Sequence, residues 1–313
     1  MIPAPRPFPG GLRRLACYAL WLPLAAASGC SLRQLAIDGL GDTLSVGGTA
    51  FASDDDLDLV RASTPFSLKL MESVLVERPE RTDLLVATAR AFTQYTFAFV
   101  EQDADETEDK DVAAAYRLRD RARKLYRRAR DYGLRGLEVT HPGFGAALRT
   151  NPGSALSAMA REDVPELYWT GVSWAAMIAL SKDDPDSVAD VPLIGAMAER
   201  ALELDEGFDS GALHVFMISF EMARRGSREA SAARAREHYR RAVYFSGGHQ
   251  AVPHVSLAEA VSVPTRNRRE FESLLRTALS VDPDAAPQWR LANVLMQRRA
   301  KWLLDREDQL FTE

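Results

Sequence analysis

Leu118-Arg119-Asp120-Arg121-Ala122-Arg123-Lys124-Leu125-Tyr126-Arg127-Arg128-Ala129 is the stretch on which the fold turns. Leu118, Ala122, Leu125, Tyr126 and Ala129 recur at i, i+4, i+7, i+8 and i+11, which gathers them on one helix face and leaves the charges on the other. The same pattern returns in Met197, Ala201 and Leu204, and in Phe271, Leu274, Leu275 and Ala278. Alternating β-branched runs, the mark of half-buried strands, are almost absent. Proline and glycine punctuate the chain at Pro65, Pro79, Pro152-Gly153, Pro165, Pro185, Pro192, Gly207, Gly226, Gly247-Gly248, Pro264, Pro283 and Pro287. This spacing predicts an all-α chain of helices about 12 to 20 residues long, joined by short turns.

The helices share an outline. Tyr126-Arg127-Arg128-Ala129 before Tyr132-Gly133, Glu199-Arg200-Ala201-Leu202-Glu203-Leu204-Asp205, Tyr239-Arg240-Arg241-Ala242 before Phe245, and Leu275-Arg276-Thr277-Ala278 before Val281-Asp282-Pro283 each look like the second helix of a tetratricopeptide unit. In such a unit an alanine packs closely on the neighbouring helix. The alanines at 129, 201, 242 and 278 are 72, 41 and 36 residues apart, against a unit of about 34 residues. The expected architecture is a stack of antiparallel helix pairs with degenerate tetratricopeptide-like repeats, which buries a continuous core and leaves a concave face for binding.

Residues 12–30 fix the compartment. Arg13 and Arg14 precede an apolar run from Leu15 to Ala27, and Ala27-Ser28-Gly29-Cys30 ends it. A charged start, a short apolar core and small residues at the end describe an export signal. The last four residues look like a bacterial lipobox, which makes Cys30 the lipidated first residue of the mature chain. Cys17, the other cysteine, falls in the removed segment, so Cys30 has no partner for an internal disulfide. Ser31 rather than an aspartate follows Cys30, which points to the outer membrane and a periplasmic orientation. The domain reading is a signal peptide at 1–29, a lipidated tether with a short helix at 30–50, and one helical domain at 51–313.

Removing residues 1–29 takes Arg6, Arg13 and Arg14 and no acid, so the formal charge of −5 becomes −8 over 284 residues. Charge and compartment both disfavour nucleic acid. The 46% of apolar residues suffices for a packed core. The five histidines, 141, 214, 238, 249 and 254, show no i, i+4 pairing for zinc, and phosphate loops and a G-x-S-x-G elbow are missing from the sequence. No catalytic residue, metal ligand set or cofactor is expected, and the chain is not expected to be an enzyme. Asp54-Asp55-Asp56 reads as a helix N-cap rather than a calcium loop.

Three segments carry the remaining signal. Arg117, Arg119, Arg121, Arg123, Lys124, Arg127, Arg128 and Arg130 make a basic helix, but Glu101, Asp103, Asp105, Glu106, Glu108, Asp109 and Asp111 precede it and are expected to neutralise part of it. Leu167 to Leu180, with Tyr168, Trp169, Val172, Trp174, Met177 and Ile178, is apolar around almost its whole circumference. Such a helix is core, or it lines an internal cavity whose walls carry Tyr and Trp polar tips. The last helix, about 287 to 309, places Asn293 and Gln297 at i, i+4.

A wider set of blocks resembles one family. Phe51-Ala52-Ser53-Asp54-Asp55-Asp56, Pro65-Phe66 with Leu68-Lys69 and Glu72, Phe92-Thr93-Gln94-Tyr95 with Ala98-Phe99, Tyr126 to Gly133, Leu167-Tyr168-Trp169 with Gly171, Arg290-Leu291-Ala292-Asn293, Arg299-Ala300, Leu303-Leu304 and Leu310-Phe311 occur in that order. Together with the lipobox they are similar to the T-component lipoproteins associated with TRAP transporters. The resemblance implies an α-helical, tetratricopeptide-like protein that forms homotrimers and engages a periplasmic TRAP substrate-binding protein. It also implies a cleft or pore through each protomer that passes a small, partly hydrophobic ligand. Tyr168, Trp169, Asn293 and Arg299 match the pattern and combine polar tips with enclosed helices, so they are the expected cleft residues; a buried Asn or Arg can equally serve loop carbonyls. A scaffold lipoprotein for envelope assembly, without a small ligand, is the alternative. Cys30→Ser is expected to keep the helical fold while the protein becomes soluble or stalls unprocessed, as envelope fractionation and mass measurement would report.

Overall fold

Asp56 opens the first long helix, accepting hydrogen bonds from the Asp58 and Leu59 backbone N–H groups at 3.0 and 2.9 Å. The expected capping role of the acidic triplet is thus carried by its last residue. The computed structural model describes residues 1, 4, 37–45, 48–224 and 226–312; the signal segment and Cys30 lie outside them. Two units divide the chain, Met1–Thr43 and Leu44–Glu313. In the first, residues 37–43 are helical. All that follows concerns the second.

This unit is all-α, with no strand among the described residues. Its main helices are α1 (Leu57–Glu77), α2 (Thr82–Tyr95), α3 (Gln102–Thr107), α4 (Val112–Thr140), α5 (Val164–Ala179), α6 (Val191–Leu204), α7 (Phe208–Ala223), α8 (Arg228–Phe245), α9 (Val252–Leu257), α10 (Arg268–Ser280) and α11 (Arg290–Asp305). Sequence neighbours pack as pairs, α1 on α2, α7 on α8 and α10 on α11, while α4 packs on both α2 and α5. Side-chain caps set several of the starts: Asp111 for α4, Ser227 for α8 and Asn267 for α10.

The apolar faces form two clusters. One runs from Val60 through Phe92, Tyr126, Trp174 and Met197 to Phe220. The other joins Ile218, Val255, Phe271, Leu275, Met296 and Leu303. Ala129, Ala201, Ala242 and Ala278 are wholly buried, because a larger side chain would hold the neighbouring helices apart.

Two boundaries differ from the sequence expectation. Pro65 lies inside α1 instead of ending it. Ser63 and Thr64 hydroxyls donate to the Leu59 and Val60 carbonyls, adding side-chain bonds where the proline removes a backbone donor. Gly133 lies inside α4, which runs 29 residues to Thr140. Gly133 and Gly136 let α4 approach α5. A Cβ at Gly133 would stand 2.2 Å from Thr170 Oγ1 and 3.2 Å from the Thr170 backbone. The last helix also breaks earlier than expected: a 3-10 turn at Pro287–Trp289 leads into α11, which ends at Asp305, and a short turn follows at Glu307–Leu310.

Two π-helical turns interrupt the array, Thr96–Glu101 at the end of α2 and Ala258–Ser262 at the end of α9. Such turns carry an unfavourable hydrogen-bond geometry and tend to mark functional or strained places. Both lead to the same ionic cluster. Gly133→Ala is expected to lower unfolding free energy by about 1–3 kcal/mol through overpacking, measurable by chemical denaturation followed by circular dichroism.

Candidate functional site

α5 is the helix that sequence reading singled out, and its neighbours turn it into a wall. Its buried side includes Leu167, Trp169, Thr170, Trp174, Met177 and Ile178, while Tyr168 is half-buried. The Tyr168 ring lies 4.8 Å from the Trp169 ring, edge-on, and 5.4 Å from Phe208 at the start of α7. Burial and the nearby Asp209 carboxylate raise the Tyr168 hydroxyl well above an ordinary phenol. That hydroxyl has no hydrogen-bond partner among the described residues.

Phe208 and Asp209 are placed by an unusual turn. Asp209, Ser210 and Gly211 have φ of 43°, 55° and 92°, three left-handed residues in succession. Two non-glycine residues there cost about 1–2 kcal/mol each. Gly211 is sterically required, because a Cβ would meet the Ala242 Cα at 3.2 Å and the Phe245 Cβ at 3.1 Å. The packing of α7 on α8 therefore holds the turn. The Asp209 side chain is exposed, and desolvation by its surroundings raises its carboxyl above the ordinary range. On α2, enclosure lowers the Arg90 guanidinium, and the charge of Asp209 acts on it in return.

Arg299 and Asn293 stand in different surroundings. Asn293 is fully buried; its Oδ1 accepts from the Ala251 N–H and its Nδ2 donates to the His249 carbonyl, both at 2.9 Å. Gln297 similarly donates to carbonyls at the end of α10, the nearest being Val281 at 2.7 Å. These amides tie α11 to the loops beside it. Arg299 donates to Glu259 at 2.6 and 2.8 Å, to Gln102 at 2.6 Å and to Asp105 at 3.2 Å. The structure thus brings Tyr168 and Trp169 together and gives Asn293 and Arg299 separate partner sets.

The acidic run finds most of its partners far along the chain. Arg298 pairs with Glu106 and Arg306 with Asp109, while Arg61 pairs with Asp103. From the basic helix, Arg119 reaches back to Asp105 and Glu108, and Arg117 to Asp111. The two opposite runs thus neutralise each other in part, and distant arginines take up the remaining carboxylates. At the centre, Glu101 is held above the ordinary carboxylate range by burial, while the Tyr126 hydroxyl donates to it at 2.5 Å. Each π turn thus contributes a carboxylate, Glu101 or Glu259, to one buried cluster.

The family model of the TRAP transporter T-component matches residues 53–311. The chain belongs to the TRAP transporter T-component family. A relative in Treponema pallidum (strain Nichols), described as an uncharacterized protein, is 31% identical to this T-component over 311 residues, covering 93% of this chain and 95% of its own length. Both the aromatic wall and the ionic cluster of this T-component lie within the matched region.

Sequence reasoning missed Arg90, Asp209, Glu101 and Glu259. Arg90 carried a weak signal, a lone cation in the apolar run Leu84 to Phe92, and Asp209-Ser210-Gly211 carried a turn signal. The pairing of His214 with His238, Nδ1 to Nδ1 at 2.9 Å, likewise had no local signature. Burial lowers His214 to about 4. The clearest pH dependence in the ionic cluster belongs to Glu101. The native state holds its proton more tightly than the unfolded chain does, so its stabilising contribution is present at acid pH and is lost as pH rises above 4.5 through the raised native value. Glu101→Gln keeps an acceptor for Tyr126 and removes this loss. Its unfolding midpoint relative to wild type is expected to rise with pH across that window and then level off at neutral pH, as paired denaturation series would show.

Proposed function

We propose that this T-component is a non-enzymatic, lipid-anchored accessory of a TRAP-type uptake system, facing the periplasm from the outer membrane. It binds a periplasmic TRAP substrate-binding protein and hands a small, partly apolar ligand to or from it through a cleft walled by Tyr168, Trp169 and Phe208. The working form is a homotrimer. Family membership over residues 53–311 carries the transport assignment, and the clustered Tyr168, Trp169 and Phe208 rings, with the enclosed Tyr168 hydroxyl, support ligand handling. Among the described residues no helix is long and apolar enough to cross a membrane, which is consistent with attachment through lipid at Cys30. Two or more acyl chains are needed for stable attachment of this kind. Tethering would confine the exchange to one surface and raise the local concentration of both partners.

The scaffold reading draws on a different observation. Leu59, Phe66 and Val76 on α1 are large, apolar and 58%, 73% and 80% exposed, which suits contact with another protein. Pull-down of the lipidated protein from its own envelope separates the two readings. Recovery of a periplasmic solute-binding protein is expected; recovery of outer-membrane assembly factors without one would replace the transport reading with the scaffold.

A further inference from the structure

His214 on α7 and His238 on α8 meet at an interface with little room for a charge. Their Nδ1 atoms are 2.9 Å apart and their ring centroids 5.2 Å. The His214 side chain is only 5% exposed. Two imidazoles at this distance share one proton, with one Nδ1 donating and the other accepting. His214 Nε2 stands 3.3 Å from Glu206 Oε1, on the turn before α7. That contact assigns the neutral pair: His214 carries its hydrogen on Nε2 and His238 Nδ1–H donates to His214 Nδ1. One added proton can enter at His238 Nε2 and leave the bond intact. A second leaves an N–H on each Nδ1, so the bond is lost and two cations face each other in the interior.

The charged groups around the pair are already engaged. Glu206 pairs with Arg241 of α8 at 2.7 Å. Beside His238, the buried Glu221 of α7 pairs with Arg224 at 3.0 Å and with Arg234 of α8 at 2.6 Å, and Arg224 also reaches Glu199 of α6. Glu237 is taken up by Arg240, and Glu259 of the second π turn by Arg299. From α9, His254 Nδ1 lies 2.9 Å from the Tyr239 hydroxyl. The charged residue of α5, Glu166, lies against Gly136 of α4. Each carboxylate that acts on the two histidines is thus matched by an arginine, which leaves little to offset a second imidazolium.

The pair sits where opening would be transmitted. His214 follows Gly211 by three residues, and its ring stacks on Phe245 at 5.7 Å with 11° between the planes. Phe245 and Ala242 are the residues that close on Gly211, and the left-handed turn at 209–211 stays strained while they do. That turn sets the Phe208 ring 5.4 Å from Tyr168.

We propose that the His214–His238 pair is an acid-sensitive latch: the second proton it takes up parts the start of α7 from α8, relaxes the strained turn and withdraws Phe208 from Tyr168. The latch acts on the aromatic cluster whatever that cluster holds. Burial, and then the neighbouring His238, lower His214 from 6.5 to about 4. The closed pair therefore resists a proton that the open pair accepts. Its contribution is complete above about 6.5 and is lost as pH falls towards 4.

Hydrogen exchange of the full-length lipoprotein in detergent, read by mass spectrometry and corrected for the intrinsic pH dependence of exchange, tests this. Protection of peptides within 212–220 is expected to fall about tenfold per pH unit between 6.5 and 4 and then level off, because opening takes up one proton. Peptides from α4 should keep their protection within about threefold over the same range. Constant protection of 212–220, or a loss shared by every helix, would overturn the proposal. His214→Asn puts an amide oxygen near the Nδ1 position, where it accepts from His238 whatever the charge of that ring, so its protection should stay flat. His238→Asn gives a charged His214 an oxygen to donate to, and should move the levelling point up towards 6.5. Circular dichroism checks that each variant folds, and the two variants test the pair separately. A fall as steep as wild type in the first, or an unmoved levelling point in the second, would also overturn the latch.

Discussion

Arg299 holds together parts of the chain that are almost 200 residues apart. Its guanidinium, with a side chain only 12% exposed, joins Glu259 of one π turn to Gln102 and Asp105 just beyond the other. Removing one partner of a buried ion pair costs about 3–5 kcal/mol, because the remaining charge is left without compensation. Here Glu259, Asp105 and the neighbouring Glu101 would all lose the same cation. Arg298 and Arg306 reinforce the joint from the same end of the chain, and Arg290 adds a bond to the Ser53 carbonyl. A stack of helix pairs stabilised only by neighbours could end anywhere. Here the last long helix, α11, is fastened to α3 and to the turn at Ser53.

The aromatic cluster of Tyr168, Trp169 and Phe208 depends on a second constraint of the same kind. Gly211 must lie against Ala242 and Phe245, and that contact forces the preceding two residues into a conformation they would not choose alone. The backbone strain is local, but its cause is the packing of α7 on α8. As a result the Phe208 ring meets Tyr168 on a different helix. Rigid placement of this sort suits a site that must discriminate a ligand, since groups held by packing lose little further freedom on binding.

The family assignment and the geometry bear on different questions. Similarity across nearly the whole chain places this protein in the TRAP transporter T-component family. The ring contacts of Tyr168 with Trp169 and Phe208 concern what such a component could hold.

Periodicity alone determined the fold class, because one buried face per helix imposes a 3.6-residue rhythm that strands cannot share. It also identified Ala129, Ala201, Ala242 and Ala278 as close-packing positions and Asp56 as belonging to a cap, since these roles are set by residues within a turn or two. The aromatic character of α5 was equally legible. What the sequence could not contain was any relation between residues brought together by the chain's return on itself. The partners of Arg299 at Glu259 and Asp105, and those of Asn293 in the loop at His249 and Ala251, could be read in no single segment. Phe208 and Tyr168 stand on different helices, and only the tertiary structure set their rings 5.4 Å apart. Local order follows from local periodicity, whereas a binding site is made by long-range contacts, and the distances between those contacts are written in no single segment.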